Sequence, residues 1–392
     1  HLPTRRQRQM CIRDRVGSVA TAGRAIAERC AAQCQPTRGS GSVVAMTLER
    51  SVADQRCRTL GVLRLSLTAR CNLSCPYCCP DAEDAPGLLS LEQQVRLIRV
   101  ACRLGVHTLR LTGGEPLLSD RLLPLLQQIH KGRQTQGDPL TGLREVALTS
   151  NGVLLTAGRA TALRASGLDR ITISLDAVDA EVAARMAGLR GGAAAGERHV
   201  QKVLAGLSAA RSAGFDSAAG GLKLNAVIQR NRNDDQLLPL ADLARRRGVE
   251  LRLIEFMDVG NRNGWLPEQV LPAAEMVRRI GERWPLQPLG RPVSGTARRW
   301  RYIDGEGCLG VIASITEPFC TDCNRLRITA DGRAFTCLFA SEGTDLTPVL
   351  DVESELERTM TDLWFRRRDR YSEERHGNAD SQHHAEMAYL GG

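Results

Sequence analysis

Between residues 62 and 258 the chain repeats one unit: a short apolar strand, a loop and an amphipathic helix. Strands are expected at 63–67, 107–111, 146–149, 170–175, 222–228 and 251–256, with helices near 91–104, 121–130, 157–165, 200–213 and 236–247. Strands alternating with helices require a parallel sheet with right-handed crossovers. Periodicity leaves open whether that sheet curls into a partial barrel or stays flat. Beyond residue 258 the rhythm stops. A turn at 260–264, a helix at 273–284, a cysteine-bearing segment and a charged tail read as a second, smaller domain.

The expected strand ends carry the chemistry. After the first comes Cys71-Asn72-Leu73-Ser74-Cys75-Pro76-Tyr77-Cys78, after the second Thr112-Gly113-Gly114-Glu115-Pro116, and after the third Ser150-Asn151-Gly152. The fourth ends in Ser174-Leu175-Asp176 and the sixth in Glu255-Phe256-Met257-Asp258. In parallel α/β architectures the C-terminal strand ends form the active face. The run at 191–196, rich in glycine and alanine, reads as a flexible loop.

Charge bounds the partners. The formal charge is +9, yet residues 1–45 hold eight arginines against Asp14 and Glu28, a net of +6 that leaves only +3 for the body. That balance suits an anionic small molecule better than nucleic acid. Aromatic content of 4% also argues against a nucleic-acid surface. No run of 18 apolar residues is present, so no membrane span is expected. Residues 1–45 are expected to be a non-native or disordered leader, with Met46 the natural start; an Arg-rich organellar presequence is the rival reading. The expected location is the cytoplasm, or an organellar matrix if that leader is a real presequence.

Thirteen cysteines in a chain of this size point to reduced thiols and metal ligation. Cys71, Cys75 and Cys78 place three thiolates on one loop, which leaves one iron of a 4Fe–4S cluster open. Cys320, Cys323 and Cys337 form a second set of three, with no histidine nearby to complete a zinc site. Arg325 and Arg327 alternate on an expected strand at 325–329, so both face one way, and their forks suit phosphate or carboxylate. Cys57, Cys102 and Cys308 are expected to be buried thiols. The histidines, among them His107, His383 and His384, are read as packed or solvated.

These motifs resemble the GTP 3′,8-cyclase family, the molybdenum cofactor biosynthesis protein A group of radical S-adenosylmethionine (SAM) enzymes. The resemblance runs over 46–392 and is most specific at 70–78, 112–116, 254–260, 319–327, 331–339 and the terminal Gly391-Gly392. It implies an incomplete (βα)6 barrel over 46–258 and a smaller second-cluster domain over 259–392. It implies two 4Fe–4S clusters, on Cys71, Cys75 and Cys78 and on Cys320, Cys323 and Cys337. SAM contacts fall by resemblance at Tyr77, Gly114, Ser174 and Met257. GTP contacts fall at Arg64, Arg110, Thr149, Lys223, Arg325 and Arg327, and Gly391 and Gly392 enter the active site. The implied reaction is abstraction of the ribose 3′ hydrogen by a deoxyadenosyl radical and attack on guanine C8. The implied partners are a flavodoxin- or ferredoxin-type electron donor and the next enzyme, cyclic pyranopterin monophosphate synthase, with a homodimer or monomer. A radical SAM peptide-modifying enzyme with an auxiliary cluster is the alternative. Two departures stand out: Ala69 where the family has an acidic residue, and Cys79 where it usually has methionine. The loop at 186–196 also looks longer than usual.

Overall fold

The computed structural model describes residues 51–375 and 384–391. The expected leader at 1–45, Gly392 and His383 lie outside these residues. Six parallel strands form the centre: β1 (Val62–Ser66), β2 (Thr108–Thr112), β3 (Glu145–Ser150), β4 (Arg170–Ser174), β5 (Leu222–Ile228) and β6 (Glu250–Glu255). Helices α1 (Leu91–Arg103), α2 (Leu122–Gln134), α3 (Ala157–Ala165), α4 (Ala180–Met186), α5 (Gly192–Ser212) and α6 (Leu237–Arg246) lie between them. Their starts follow local chemistry. Ser90 and Gln93 form a capping box on α1, while Thr156 and Asp179 cap α3 and α4. Each such cap stabilises by about 1 kcal/mol.

The remaining strands do not stand apart. After α7 (Ala273–Arg283) come β7 (Leu286–Gly290), β8 (Arg298–Tyr302), β9 (Cys308–Ile312), β10 (Arg325–Ile328), β11 (Arg333–Phe335) and β12 (Thr344–Asp345). The sheet order is β12-β11-β10-β1-β2-β3-β4-β5-β6-β9-β8-β7. Thus β10 pairs in parallel with β1, and β9 with β6, so the segment beyond residue 258 extends the central sheet on both edges. Because β1 does not pair with β6, the barrel stays open. Helices α8 (Glu353–Phe365), α9 (Tyr371–Glu374) and α10 (Met387–Leu390) complete the chain.

A period of two decides which residues face which way. Leu63 and Leu65 of β1, Leu109 and Leu111 of β2, Ile171 and Ile173 of β4, and Leu326 and Ile328 of β10 all enter the hydrophobic core. The residues between them, Arg64, Arg110, Thr149 on β3 and Arg325 and Arg327, line a cavity inside the sheet's curve. Burying each leucine contributes about 1.5–3 kcal/mol, and the same burial forces its polar neighbours inward.

One expectation fails. The glycine–alanine run at 191–196 is not a loop: Gly191 is the left-handed cap (φ 105°) before α5, and the alanines are its first turn. The 186–196 stretch is therefore a tight helix–turn–helix rather than a long loop. Alanine is a strong helix former, and here the packing of α5 on α4 outweighs the glycines. Gly196 sits at the crossing, where a Cβ would lie 1.7 Å from the Ala180 carbonyl oxygen. Gly196→Ala is accordingly expected to lower stability by about 1–3 kcal/mol, read as a drop in the denaturant midpoint.

Candidate active site

The first cysteine loop leaves β1 and is clamped from two sides. Gly114 N–H donates to the Thr68 carbonyl (2.7 Å), and Glu115 N–H donates to that of Arg70 (2.8 Å). A Cβ on Gly114 would lie 2.2 Å from the Arg70 carbonyl oxygen, so the glycine is demanded by the loop's own backbone. Glu115 is fully buried and collects Ser150 Oγ, Asn151 N–H and Leu117 N–H, tying the third strand end to the second. On the other side Asp84 accepts from Thr68 Oγ1, Ala69 N–H and Arg70 Nε at 2.6–2.9 Å. A carboxylate thus stands beside Ala69 after all, supplied from fifteen residues downstream.

Cys71, Cys75 and Cys78 face one another. Burial, then the Asp176 carboxylate and the sulfurs of Cys78 and Cys71, pushes the Cys75 thiol well up. Burial and then Cys71 push Cys78 up to about 12. Three half-buried thiols that repel as thiolates are a donor set completed by a cationic metal centre. Cys79 looks elsewhere. It takes a positive φ of 49°, its Sγ lies 3.1 Å from the Pro76 carbonyl oxygen, and its charged neighbours are Glu386 and Arg262. Tyr77 OH donates to Asp176 Oδ2 (2.7 Å), and Tyr77, Ser174 and Cys75 line one small cavity.

The larger cavity holds Met257, Thr149, Arg64, Arg110, Arg325, Arg327 and all three cysteines of the second set. Strand register explains the arginines. Arg327 pairs with Arg64 and Arg64 with Arg110, so three guanidinium-bearing residues stand in one row across β10, β1 and β2. Burial, followed by repulsion from Arg327 and Arg325, lowers Arg64 to about 9. Burial and Arg325 lower Arg327 to about 10, and Arg110 falls well below its ordinary value. Burial leads in each case, and repulsion from neighbouring guanidiniums adds to it. Among the described residues no acidic side chain pairs with Arg110, Arg325 or Arg327, and buried Arg327 Nε has no hydrogen-bond partner. Gly391 reaches this row. Its carbonyl oxygen accepts from Arg64 Nη2 (2.7 Å) and Thr112 Oγ1 (3.1 Å), and its positive φ of 71° and a Cβ clash with Thr112 require glycine.

Lys223 is buried but lies below that cavity, 3.9 Å from Glu250. Burial and then Arg252 bring it down to about 7. It belongs to a deeper charged layer with Arg170, which pairs with Glu145, and Arg252 and Arg299, which pair with Glu250. Sequence reading passed over Arg170 and Arg252, although a lone charge alternating with leucines or isoleucines was visible in both strands.

It also passed over the support of the second cysteine set. Asp54, fully buried, binds Arg58 Nε (2.6 Å) and Arg367 Nη1 (3.3 Å). Arg58 donates to the carbonyls of Cys320 and Asp369, both at 2.8 Å, and Arg367 to that of Cys323 (2.6 Å). Cys323 is held down to about 6: burial opposes ionisation, but Arg325, Arg367 and Arg327 outweigh it. Two of the expectations for the remaining cysteines change: Cys57 is exposed and disulfide-bonded rather than a buried thiol, and Cys102 and Cys308 are half-buried thiols. His384 is packed, its Nδ1 2.6 Å from the Phe339 carbonyl oxygen.

An open parallel barrel with a three-cysteine loop at its first strand end defines the radical SAM class, and the comparisons agree. The family model described as Radical SAM superfamily matches residues 65–244, and that described as Molybdenum Cofactor Synthesis C matches 249–373. The SAM-bound crystal structure of Streptococcus suis SuiB shares the fold at a TM-score of 0.54 and 16% identity, covering 79% of this chain and 66% of that one. The chain is 71% identical over 339 residues to GTP 3′,8-cyclase of Synechococcus sp. (strain WH7803), covering 86% of this chain and 98% of that protein. It is 43% identical over 348 residues to GTP 3′,8-cyclase of Xanthomonas campestris pv. campestris (strain B100), covering 86% and 97%. The chain belongs to the GTP 3′,8-cyclase family, and membership carries a 4Fe–4S cluster and SAM as cofactors.

Removing Asp54 leaves two buried guanidiniums without their carboxylate, a loss of about 3–5 kcal/mol. If the second cysteine set holds a 4Fe–4S cluster, Asp54→Ala is therefore expected to lower iron and sulfide by about four of each per chain. Unchanged iron content would show that the second cysteine loop stands without this network.

Proposed function

We propose that this chain converts GTP to (8S)-3′,8-cyclo-7,8-dihydroguanosine 5′-triphosphate, the first step of molybdenum cofactor biosynthesis. The observation that carries the reading is the arginine row of β10, β1 and β2 lining one cavity with Cys320, Cys323 and Cys337, with the loop of Cys71, Cys75 and Cys78 following β1. A triphosphate of about −4 charge is the ligand that such a row lacks. Cys71, Cys75 and Cys78 would hold the first cluster, and Cys320, Cys323 and Cys337 a second. Among the described residues no three Cys, His, Asp or Glu side chains converge as a single metal ion would need, whereas a cubane's thiolates bind separate irons. When bound, the first cluster supplies one electron to the sulfonium of SAM.

The protein's part is binding and orientation. Tyr77, Gly114, Ser174 and Met257 are proposed to hold SAM. Tyr77 is fixed by Asp176, which also accepts from Val227 N–H (2.8 Å). Gly114 acts through the clamp on the cysteine loop. Arg64, Arg110, Thr149, Arg325 and Arg327 bind GTP, with Lys223 and its deeper layer extending the positive field. Gly391 and Gly392 are proposed to serve catalysis, a role supported at Gly391, where glycine alone fits as its carbonyl meets Arg64. The electron donor is of flavodoxin or ferredoxin type, the product passes to cyclic pyranopterin monophosphate synthase, and the enzyme works in the cytoplasm as a monomer or homodimer. Among the described residues no helix is long and apolar enough to cross a membrane. A peptide substrate is disfavoured because scattered single carboxylates answer a contiguous row of arginines less well than one triphosphate does.

Anaerobically reconstituted protein with GTP, SAM and a reductant is expected to release 5′-deoxyadenosine and the cyclic nucleotide, both identified by mass spectrometry. Deoxyadenosine without a GTP-derived product would overturn the substrate assignment. Arg110→Ala or Arg327→Ala is expected to weaken GTP binding by about 2–5 kcal/mol in calorimetry. Cys78→Ala is expected to abolish SAM cleavage and Cys79→Ala to spare it.

A further inference from the structure

One side chain joins the first cysteine loop to the C-terminal tail. Arg262 Nη2 donates to the Cys79 carbonyl and to Asp81 Oδ1, both at 2.9 Å, and so holds the exit of that loop. Its Nε lies 3.2 Å from Oε1 of Glu386, the residue that precedes α10. The same oxygen accepts the Asn261 N–H (3.0 Å). Gly260 makes room for the carboxylate: a Cβ there would lie 2.3 Å from Glu386 Oε2, and its φ of 81° also favours glycine. Arg262 is 48% exposed, so its ion pairs are individually weak. Glu386, only 16% exposed, is the covered member and gathers two donors at the base of the tail.

What this anchor positions lies just downstream. Met387 of α10 joins Val259 and Phe339 in a small apolar cluster, against which Cys78, Met257 and Cys337 pack. The helix ends at Gly391, whose carbonyl meets Arg64 and Thr112. With a rise of about 1.5 Å per residue, this single turn is a short arm reaching from Glu386 to the arginine row. Resting on the GTP reading above, we propose that Glu386 is a positioning residue for cyclisation. With Asn261 and Arg262 it latches the tail to the first cysteine loop, so that the Gly391 carbonyl is seated at Arg64 whenever SAM is cleaved. Among the described residues Glu386 makes no hydrogen bond to Cys71, Cys75 or Cys78; its partners are Asn261 and Arg262. Releasing the latch therefore spares the cysteines but frees the tail, and the cavity loses both an acceptor at Arg64 and a barrier to water.

The test compares wild type, Glu386→Ala, Glu386→Gln and Gly260→Ala, each reconstituted anaerobically and matched for iron content. Glutamine keeps an oxygen for the Asn261 N–H, whereas a Cβ at position 260 displaces the carboxylate without removing it. The first readout is cyclic nucleotide formed per 5′-deoxyadenosine released with GTP, SAM and a reductant. That ratio is expected to fall about 10-fold in Glu386→Ala and Gly260→Ala, and Glu386→Gln to recover most of it. The second readout is amide hydrogen exchange of the C-terminal peptide, expected to quicken about 10-fold in the same two variants. Deoxyadenosine and nucleotide falling together, with their ratio unchanged, would mark a merely structural residue and overturn the proposal. Tail exchange at the wild-type rate in both variants would overturn it as well. Wild type that makes no GTP-derived product would instead overturn the GTP reading, and the exchange rates would still decide whether the latch exists.

Discussion

The structure turns on one electrostatic constraint: guanidinium groups held in register inside a curved parallel sheet. Parallel strands lie about 4.8 Å apart, so in-register arginines cannot avoid one another. The leucines that alternate with them are locked into the helix layer, which fixes the arginines inward. Rotating one strand by a residue to relieve the repulsion would expose its whole apolar face. The fold therefore stores an unmet demand for negative charge, and an anionic substrate answers it. The Gly391 carbonyl meets part of that demand at Arg64 with a dipole rather than a charge.

The same constraint gives the chain beyond residue 258 its role. Strand β10 delivers Arg325 and Arg327 beside β1, and β9 closes on β6 from the other edge. Cys320 and Cys323 sit directly before β10 and Cys337 just after β11, so the position of the second set depends on the sheet. Arg325 Nη2 lies 3.0 Å from Cys323 Sγ, which couples the cation row to that loop. Far upstream in sequence, Asp54 orients Arg58 and Arg367, which donate to the carbonyls of Cys320 and Cys323. The C-terminal tail is tied down by Tyr389 OH on the Asp331 carboxylate and by paired hydrogen bonds between Asn261 and His384. Segments distant in sequence thus converge on one cavity.

Much of this was legible. The strand–helix alternation and the two cysteine spacings are local patterns; the six central strands fall within a residue of their expected bounds, whereas α2 runs four residues further and α5 starts eight residues earlier than expected. Arg64, Arg110, Arg325 and Arg327 were each readable as cations in apolar strands. Their alignment was not, because register belongs to pairs of strands. Asp84 at the first loop and the Asp54–Arg58–Arg367 network escaped for the same reason: an acidic residue says nothing about which distant backbone it will meet. The run at 191–196 was misread because glycine and alanine composition fits a loop or a helix, and the contact with α4 decides.

The central claim is that SAM-derived chemistry in this cavity acts on the ribose of GTP. It is tested most directly by supplying GTP deuterated at C3′ to the reconstituted enzyme with SAM and a reductant. The account predicts that the deuterium appears in 5′-deoxyadenosine and is missing from the cyclic nucleotide. Deoxyadenosine free of deuterium, with the label retained in the nucleotide, would contradict it.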